Sequence, residues 1–210
     1  MHFGHEDDVG GEMIDELLAR IVAFHRSRPT VPEFPMVAEV LDVLASAVSP
    51  TEVTPELAPV VAHLDSVGRT GDAAIDALLD EFLRLAPMLP WRRTAGYLDV
   101  LSRDYLDNYG YVQLVGPGAI VEESSVRVGI GLWGPNLHYP PHRHSAEELY
   151  HVLYGAPSFT GASGEAVATG PGDAVHNAPW DVHSQDFGST PTVLLYCWTG
   201  DVGSDAELVG

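Results

Sequence analysis

The chain has 210 residues, a formal net charge of −20 and ten basic residues, all of them arginine. The negative charge argues against nucleic acid and anionic membranes as partners, because both are bound by clustered basic residues. The absence of lysine excludes a Schiff-base mechanism and a phosphate-loop lysine. No apolar run reaches the roughly 20 residues that span a bilayer, and the acidic N-terminus lacks the pattern of a secretory signal, so we expect a cytoplasmic protein.

The N-terminal half of the sequence predicts helices. Apolar residues recur at helical spacing in three segments: Glu12–Arg26, Met36–Val48 and Asp72–Leu85. Thr54 is a suitable N-cap for a further helix over residues 55–67. We assign residues 1–104 to a helical region that packs on the rest of the chain. The alternatives are that it forms an oligomer interface, as in a homodimer, or that Arg28–Pro35 forms a lid.

The pattern changes near residue 105. Short β-branched and aromatic stretches separated by Gly, Pro and Asn predict strands over residues 111–115, 125–133, 148–154, 158–160, 166–169 and 192–199. Such strands form a sandwich or barrel, so we expect a mainly β protein with a barrel over residues 105–210. Cys197 lies in the apolar run TVLLYCW, which favours a core position over a nucleophile.

Six of the ten histidines lie between His138 and His183. His142 and His144 are two residues apart, so in a strand both imidazoles point to the same side. Glu148 follows after a short turn and can add a carboxylate. This combination predicts one divalent transition metal ion, with Zn, Fe, Mn, Co and Ni all suitable. The alternative is a pair of surface histidines beside an acidic turn.

This segment resembles the first cupin motif, whose order and spacing are matched by His142, His144, Glu148 and Gly155. A cupin is a jelly-roll β-barrel, so the resemblance implies this fold for the C-terminal part. The segment that ends at His183 resembles the second cupin motif more loosely, with Phe187 where the family has Asn. The resemblance implies His183 as a third histidine ligand. His176 is the rival.

The string Tyr139-Pro-x-His-x-His-x-x-x-Glu-x-Tyr150 resembles the cupin-type dimethylsulfoniopropionate (DMSP) lyases of marine bacteria. The resemblance implies a small zwitterionic carboxylate substrate and a β-elimination that releases dimethyl sulfide and acrylate. A phenol beside a divalent cation is driven toward phenolate. We therefore predict Tyr150 as the base, with Tyr139 as orienting partner or alternative base, and His138 as a further alternative.

The sulfonium end of such a substrate needs aromatic faces. The barrel half supplies several candidates for substrate binding: Trp133, Tyr154, Trp180, Tyr196 and Trp198, with His138 beside them. Each has barrel packing as its alternative role. Two other functions fit the same ligands: an Fe-dependent dioxygenase acting on a small carboxylate, and a non-catalytic cupin that holds a metal and binds a small ligand. A sugar-phosphate isomerase fits less well, because the motif segment offers only Arg143 for a phosphate.

Overall fold

The structure is a computed structural model that describes residues 9–28, 33–46 and 53–209. Its α-helices with described ends are α1 (Val9–Arg26), α2 (Met36–Ala45), α3 (Ala73–Leu85) and α4 (Arg103–Asp107). Within these residues no helix is long and apolar enough to cross a membrane. The predicted helix end at Val48 and residues 29–32 of the Arg28–Pro35 segment lie outside the described residues.

The third helix shows how closely sequence signals fix an element. Its N-cap is Asp72, whose carboxylate accepts hydrogen bonds from the backbone N–H groups of Ala74 and Ile75 at 3.0 and 3.1 Å. A side-chain acceptor at this position satisfies N–H groups that have no partner within the helix. Asp72 also forms an ion pair with Arg28 at 2.8 Å, which ties the end of α1 to the start of α3.

The predicted α-helix over residues 55–67 is wrong. Glu56 forms a bridge with Pro90, and only Pro59–Ser66 is helical, as a 3₁₀-helix. The reason is Pro59, because a proline disfavours helical backbone in the residue before it and lacks an N–H for the helix interior. Ala58 is accordingly extended, with φ −102° and ψ 152°, so Thr54 caps no helix.

The strands follow from residue 109 onward. They are β1 (Tyr109–Gly116), β2 (Val121–Glu122), β3 (Val126–Trp133), β4 (His138–Arg143), β5 (Glu147–Tyr154), β6 (Ser158–Thr160), β7 (Ala166–Ala168), β8 (Ala174–Asn177), β9 (His183–Asp186), β10 (Thr192–Thr199) and β11 (Glu207–Leu208). All six stretches predicted from composition lie on strands. The added ones are short or contain histidine and proline, which carry a weak strand signal.

The strands form two sheets within the described part of the chain. The larger has the order β2-β1-β3-β10-β5-β8 and the smaller the order β11-β4-β9-β6-β7. Neighbouring strands are antiparallel except β1 and β2. The predicted fold, a mainly β protein with a C-terminal cupin barrel after a helical region, is confirmed.

The larger sheet has two different faces because side chains alternate along each strand. On β5, Leu149 and Leu153 join the core formed with α1, α2 and α3, whereas Tyr150 and Val152 join a second, aromatic core between the sheets. Cys197 lies fully buried in the first core, as predicted, and burial raises the pKa of its thiol to about 12. The helices therefore cover one face of the sheet and leave the other to line the barrel.

The predicted domain boundary between residues 104 and 105 stays a prediction. Helix α4, Arg103–Asp107, spans that position, and its Tyr105 and Leu106 belong to the aromatic core.

Candidate metal centre and active site

The predicted ligands come from three neighbouring elements. His142 lies in β4 opposite His183, the first residue of β9, while Glu148 lies in β5. His144 follows the end of β4. His144, Glu148 and His183 bring one ligand atom each within 4.8 Å of one another, and all three are buried. Burial of all three excludes the surface-histidine alternative.

The hydrogen bonds of the three histidines on β4, β9 and the turn after β4 fix their tautomers. In each ring Nδ1 lies 2.9 Å from a backbone carbonyl oxygen; the carbonyls belong to Pro140, Ala146 and Asp181. A carbonyl only accepts, so Nδ1 carries a proton in each ring, and each ring in its neutral form keeps a lone pair on Nε2. This outer hydrogen bond is the usual support of a metal-ligating histidine.

Glu148 is held from both sides. Its Oε1 accepts a hydrogen bond from Trp198 Nε1 at 2.6 Å, and its Oε2 accepts one from Asn177 Nδ2 at 2.9 Å. Burial raises the pKa of the Glu148 carboxyl, but the positive charge and hydrogen bonds of His144 and His183 in their protonated forms outweigh burial and hold that pKa well below its usual range. Glu148 is therefore a carboxylate at the centre of the cluster.

The contacts between these groups favour a cation among them. Glu148 Oε2 lies 3.2 Å from His144 Nε2 and 3.3 Å from His183 Nε2. When both rings are neutral, the Nε2 lone pairs of His144 and His183 face the lone pairs of Glu148 Oε2. Buried acceptors in this arrangement need a shared positive charge, either a proton or a metal ion. His183 Nε2 is buried without a hydrogen-bond donor or acceptor partner, so this donor set fits a metal ion.

His142 lies beside the cluster and not in it. Its ring stacks on Tyr139 with centroids 3.9 Å apart and lies 4.1 Å from the His183 ring. Burial, reinforced by the proximity of His183, lowers the pKa of His142 to about 3. The rival ligand His176 points elsewhere, with its Nε2 2.8 Å from Glu147 and its ring stacked on Phe34.

A cavity of about 50 Å³ opens next to Glu148, between the two sheets. Its wall is mostly aromatic: Thr94, Tyr109, Tyr111, Arg127, Trp133, Tyr139, Glu148, Tyr150, Tyr196, Trp198, Asp205 and Ala206. The structure thus brings together both predicted catalytic tyrosines and three of the predicted substrate-binding residues, Trp133, Tyr196 and Trp198. The hydroxyl groups of Tyr139 and Tyr97 lie 2.8 Å apart and share a hydrogen bond.

Tyr150 follows Glu148 on the inner face of β5. Burial, the Glu148 charge and a hydrogen bond to Glu148 all raise the pKa of Tyr150 well above its usual value. Burial also raises the pKa of Tyr139 well above the usual range. A phenolate at either position therefore depends on a cation beside it, and Tyr150 is next to the residues that could hold one.

Three predicted substrate-binding residues do not reach this cavity, and we withdraw them. A β-bulge between Val193 and Leu194 turns Tyr154 toward the helices, where its hydroxyl donates to the Ser66 carbonyl. Trp180 has a positive φ of 67° and is 55% exposed. His138 lies on the outward side of β4, with Nδ1 2.8 Å from Asp186.

Several residues of the site escaped the sequence reasoning. Arg127 is buried on the inner face of β3, where its guanidinium donates to Asp205 at 3.0 Å and to the Val202 carbonyl at 2.7 Å. Its guanidinium also lies over the Trp198 ring at 4.8 Å. A lone charge within the apolar run SVRVGIGLW is a signal that could have pointed to Arg127. Tyr97 and Asn177 carry no comparable signal.

The barrel, the buried histidine–glutamate cluster and the aromatic cavity define a cupin-type protein whose site could hold a metal ion. The chain belongs to the DMSP lyase family, whose profile matches residues 35–194. The family predicted from the motif is thus confirmed, and with it the enzyme class, a carbon–sulfur lyase.

Individual relatives agree with this assignment. The chain is 28% identical over 186 residues to dimethylsulfoniopropionate lyase DddQ of Ruegeria pomeroyi, which covers 89% of each protein. The crystal structure of that DddQ superposes with a TM-score of 0.79 at 26% identity, over 94% of this chain and 96% of the other. A structure from a study of the DMSP lyases RdDddP and RnDddQII gives 0.77 at 25% identity, over 96% and 100%.

Proposed function

We propose that the protein is a metal-dependent lyase that cleaves DMSP by β-elimination to dimethyl sulfide and acrylate. One observation carries the proposal beyond family membership. Tyr150 shares the inner face of β5 with Glu148, whose carboxylate lies within 3.3 Å of the Nε2 atoms of His144 and His183. A potential base and a potential cation site therefore border the same cavity.

His144, Glu148 and His183 would hold the ion, with His142 close by. When bound, Zn, Fe, Mn, Co or Ni would act as a Lewis acid that neutralises the substrate carboxylate and makes the adjacent C–H more acidic. Trp198 and Asn177 keep both oxygens of Glu148 in place.

Tyr150 is the base. Its phenolate oxygen removes a proton from the carbon next to the carboxylate, and the electrons of that C–H bond form the new C=C bond. The C–S bond breaks, and its electron pair leaves with dimethyl sulfide. The product that stays is acrylate, and Tyr150 then loses the acquired proton to solvent. Tyr139, fixed by Tyr97, orients the substrate.

The test measures headspace dimethyl sulfide from metal-loaded protein and DMSP under anaerobic conditions. We expect release by the wild type, a loss of at least about 100-fold in Tyr150→Phe, as for removal of a general base, and no release after chelation. Tyr154→Phe is the matched control, since that hydroxyl lies outside the cavity, and should keep wild-type activity.

Each arm can fail separately. A wild type that releases no dimethyl sulfide above a metal-only blank contradicts the lyase. Activity that persists in Tyr150→Phe rejects that base alone. Product formation that requires oxygen would support the dioxygenase alternative.

A further inference from the structure

We propose that Tyr196, with Tyr111 beside it, binds the cationic end of the substrate, and that Gly129 makes this possible. The inference rests on the proposed function, because it assigns a subsite of the same cavity. Both tyrosines line the cavity, and their rings stand at 78° with centroids 6.2 Å apart. They form two walls of an aromatic corner.

Other large rings of the cavity already have a group on a face. Trp198 is enclosed by His144, stacked at 4.2 Å, and by the Arg127 guanidinium at 4.8 Å. Trp133 is stacked against Phe187 at 5.1 Å.

Tyr139 is stacked against His142 at 3.9 Å. Among the described residues, no ring is stacked on Tyr196. Tyr109 is packed between the rings of Tyr105 at 5.4 Å and Trp133 at 5.5 Å, and Tyr150 is the proposed base. Tyr196 is therefore the best candidate for a cation–π contact in this cavity.

Gly129 sets the position of the Tyr196 ring. The two residues are directly opposite each other on β3 and β10. A Cβ atom on Gly129 would lie 2.3 Å from the Tyr196 hydroxyl oxygen and 2.5 Å from Cζ, far inside van der Waals contact. The ring therefore leans across the neighbouring strand, with one side toward Gly129 and the other toward the barrel interior. A larger residue at position 129 would collide with this ring and also with the Val112 carbonyl oxygen, which lies 2.3 Å from the same Cβ position.

The charges around the corner suit a cation. Arg127 lies two residues before Gly129 on the same face of β3, and its charge would repel an onium group. Asp205 neutralises that charge at 3.0 Å, while the Val202 carbonyl accepts a further hydrogen bond. Asp205 also lines the cavity and adds a negative charge to its wall.

The experiment compares two non-reacting probes that differ in charge at one end. In 3-(dimethylamino)propionate, a protonated nitrogen replaces sulfur, whereas in 4-methylpentanoate a neutral CH group does. Titration calorimetry on the metal-loaded wild type should show about tenfold tighter binding of the cationic probe, in the range of a desolvated cation–π contact. Tyr196→Leu should reduce this preference to below about twofold, while Tyr196→Phe, which keeps the ring, should retain it.

Tyr154→Leu makes the same change outside the cavity and should leave the preference intact. A preference for the cationic probe that survives in Tyr196→Leu overturns the inference. The inference is also overturned if Tyr154→Leu loses the preference while Tyr196→Leu keeps it.

Dimethyl sulfide release by the wild type separates this inference from the proposed function. Release together with an unchanged preference in Tyr196→Leu would reject the subsite and keep the lyase. A preference that depends on Tyr196 in a protein without lyase activity would keep the subsite and reject the lyase.

Discussion

Trp198 contacts three groups of the site at once. Its indole N–H donates to Glu148, one side of its ring stacks on His144, and Arg127 covers the other. A side chain that orients two potential ligands acts on metal affinity without touching the metal. Partners of this kind typically change metal affinity by about 10- to 100-fold.

We therefore predict that Trp198→Phe lowers metal affinity by about tenfold, because Glu148 loses a hydrogen-bond donor while the stacking is partly kept. Competition with a chromogenic chelator measures the affinity. Trp133→Phe is the control. Among the described residues, the Trp133 ring contacts Tyr139 but none of the candidate metal ligands. Equal affinities for Trp198→Phe and the wild type would contradict the role of the indole N–H.

Single residues also show which parts of the site are readable from sequence. Tyr150 was predictable because strand alternation places it with Glu148. Trp180 and Tyr154 were not, since a positive φ at one and a β-bulge opposite the other change where the ring points. Arg127 and Asp205 are far apart in sequence, and only the folded barrel brings their charges together.

Helix α1 meets strand β5 through two buried histidines. The rings of His25 and His151 lie 5.1 Å apart, both fully buried, and Cys197 Sγ lies 3.6 Å from His25 Nε2. Burial lowers the pKa of His25 to about 4. Burial, with His25 and Arg28 nearby, lowers the pKa of His151 to about 3. Both rings are therefore neutral in the folded protein at neutral pH.

These pKa values predict acid sensitivity. Below pH about 6.5 the unfolded chain binds protons at both histidines and the folded protein does not, so the free energy of unfolding falls as the pH decreases toward 4. The expected loss is roughly 3 kcal/mol per histidine by pH 4, and none above pH 7. Urea unfolding at a series of pH values measures it.

The double variant His25→Leu/His151→Leu should show a flatter pH dependence between pH 4 and 6.5, since the proton-binding groups are gone. Identical slopes for the double variant and the wild type would assign the acid sensitivity to other groups.

The whole molecule is built as helices, sheet, cavity and second sheet. One face of the larger sheet packs on α1, α2 and α3, and the other borders the candidate metal site. Metal binding at that site would therefore stabilise the same strands on which the helices pack. The sequence predicted this division into a helical region and a barrel from hydrophobic periodicity. It misassigned residues 55–67, where one proline outweighs the helical pattern.

We predict that metal raises the melting temperature of helices and barrel together. A metal concentration about 100-fold above Kd adds about 3 kcal/mol to the free energy of unfolding, which corresponds to a shift of roughly 5–10 °C. Circular dichroism at 222 nm, with and without chelator, follows the helices, while near-ultraviolet circular dichroism follows the aromatic core. If the melting temperature measured at 222 nm does not change when metal is added, the helical region melts independently of the barrel.

The position of β10 has a consequence for folding. This strand, late in the chain, lies between β3 and β5, which are both made earlier and are not paired with each other. The middle of the sheet can close only after two long loops have been brought together, a topology that slows folding. Because Tyr196 and Trp198 lie on that strand, the cavity wall and the support of Glu148 by Trp198 are complete only once β10 has paired. Refolding intermediates should therefore expose unpaired edges of β3 and β5 and bind metal weakly.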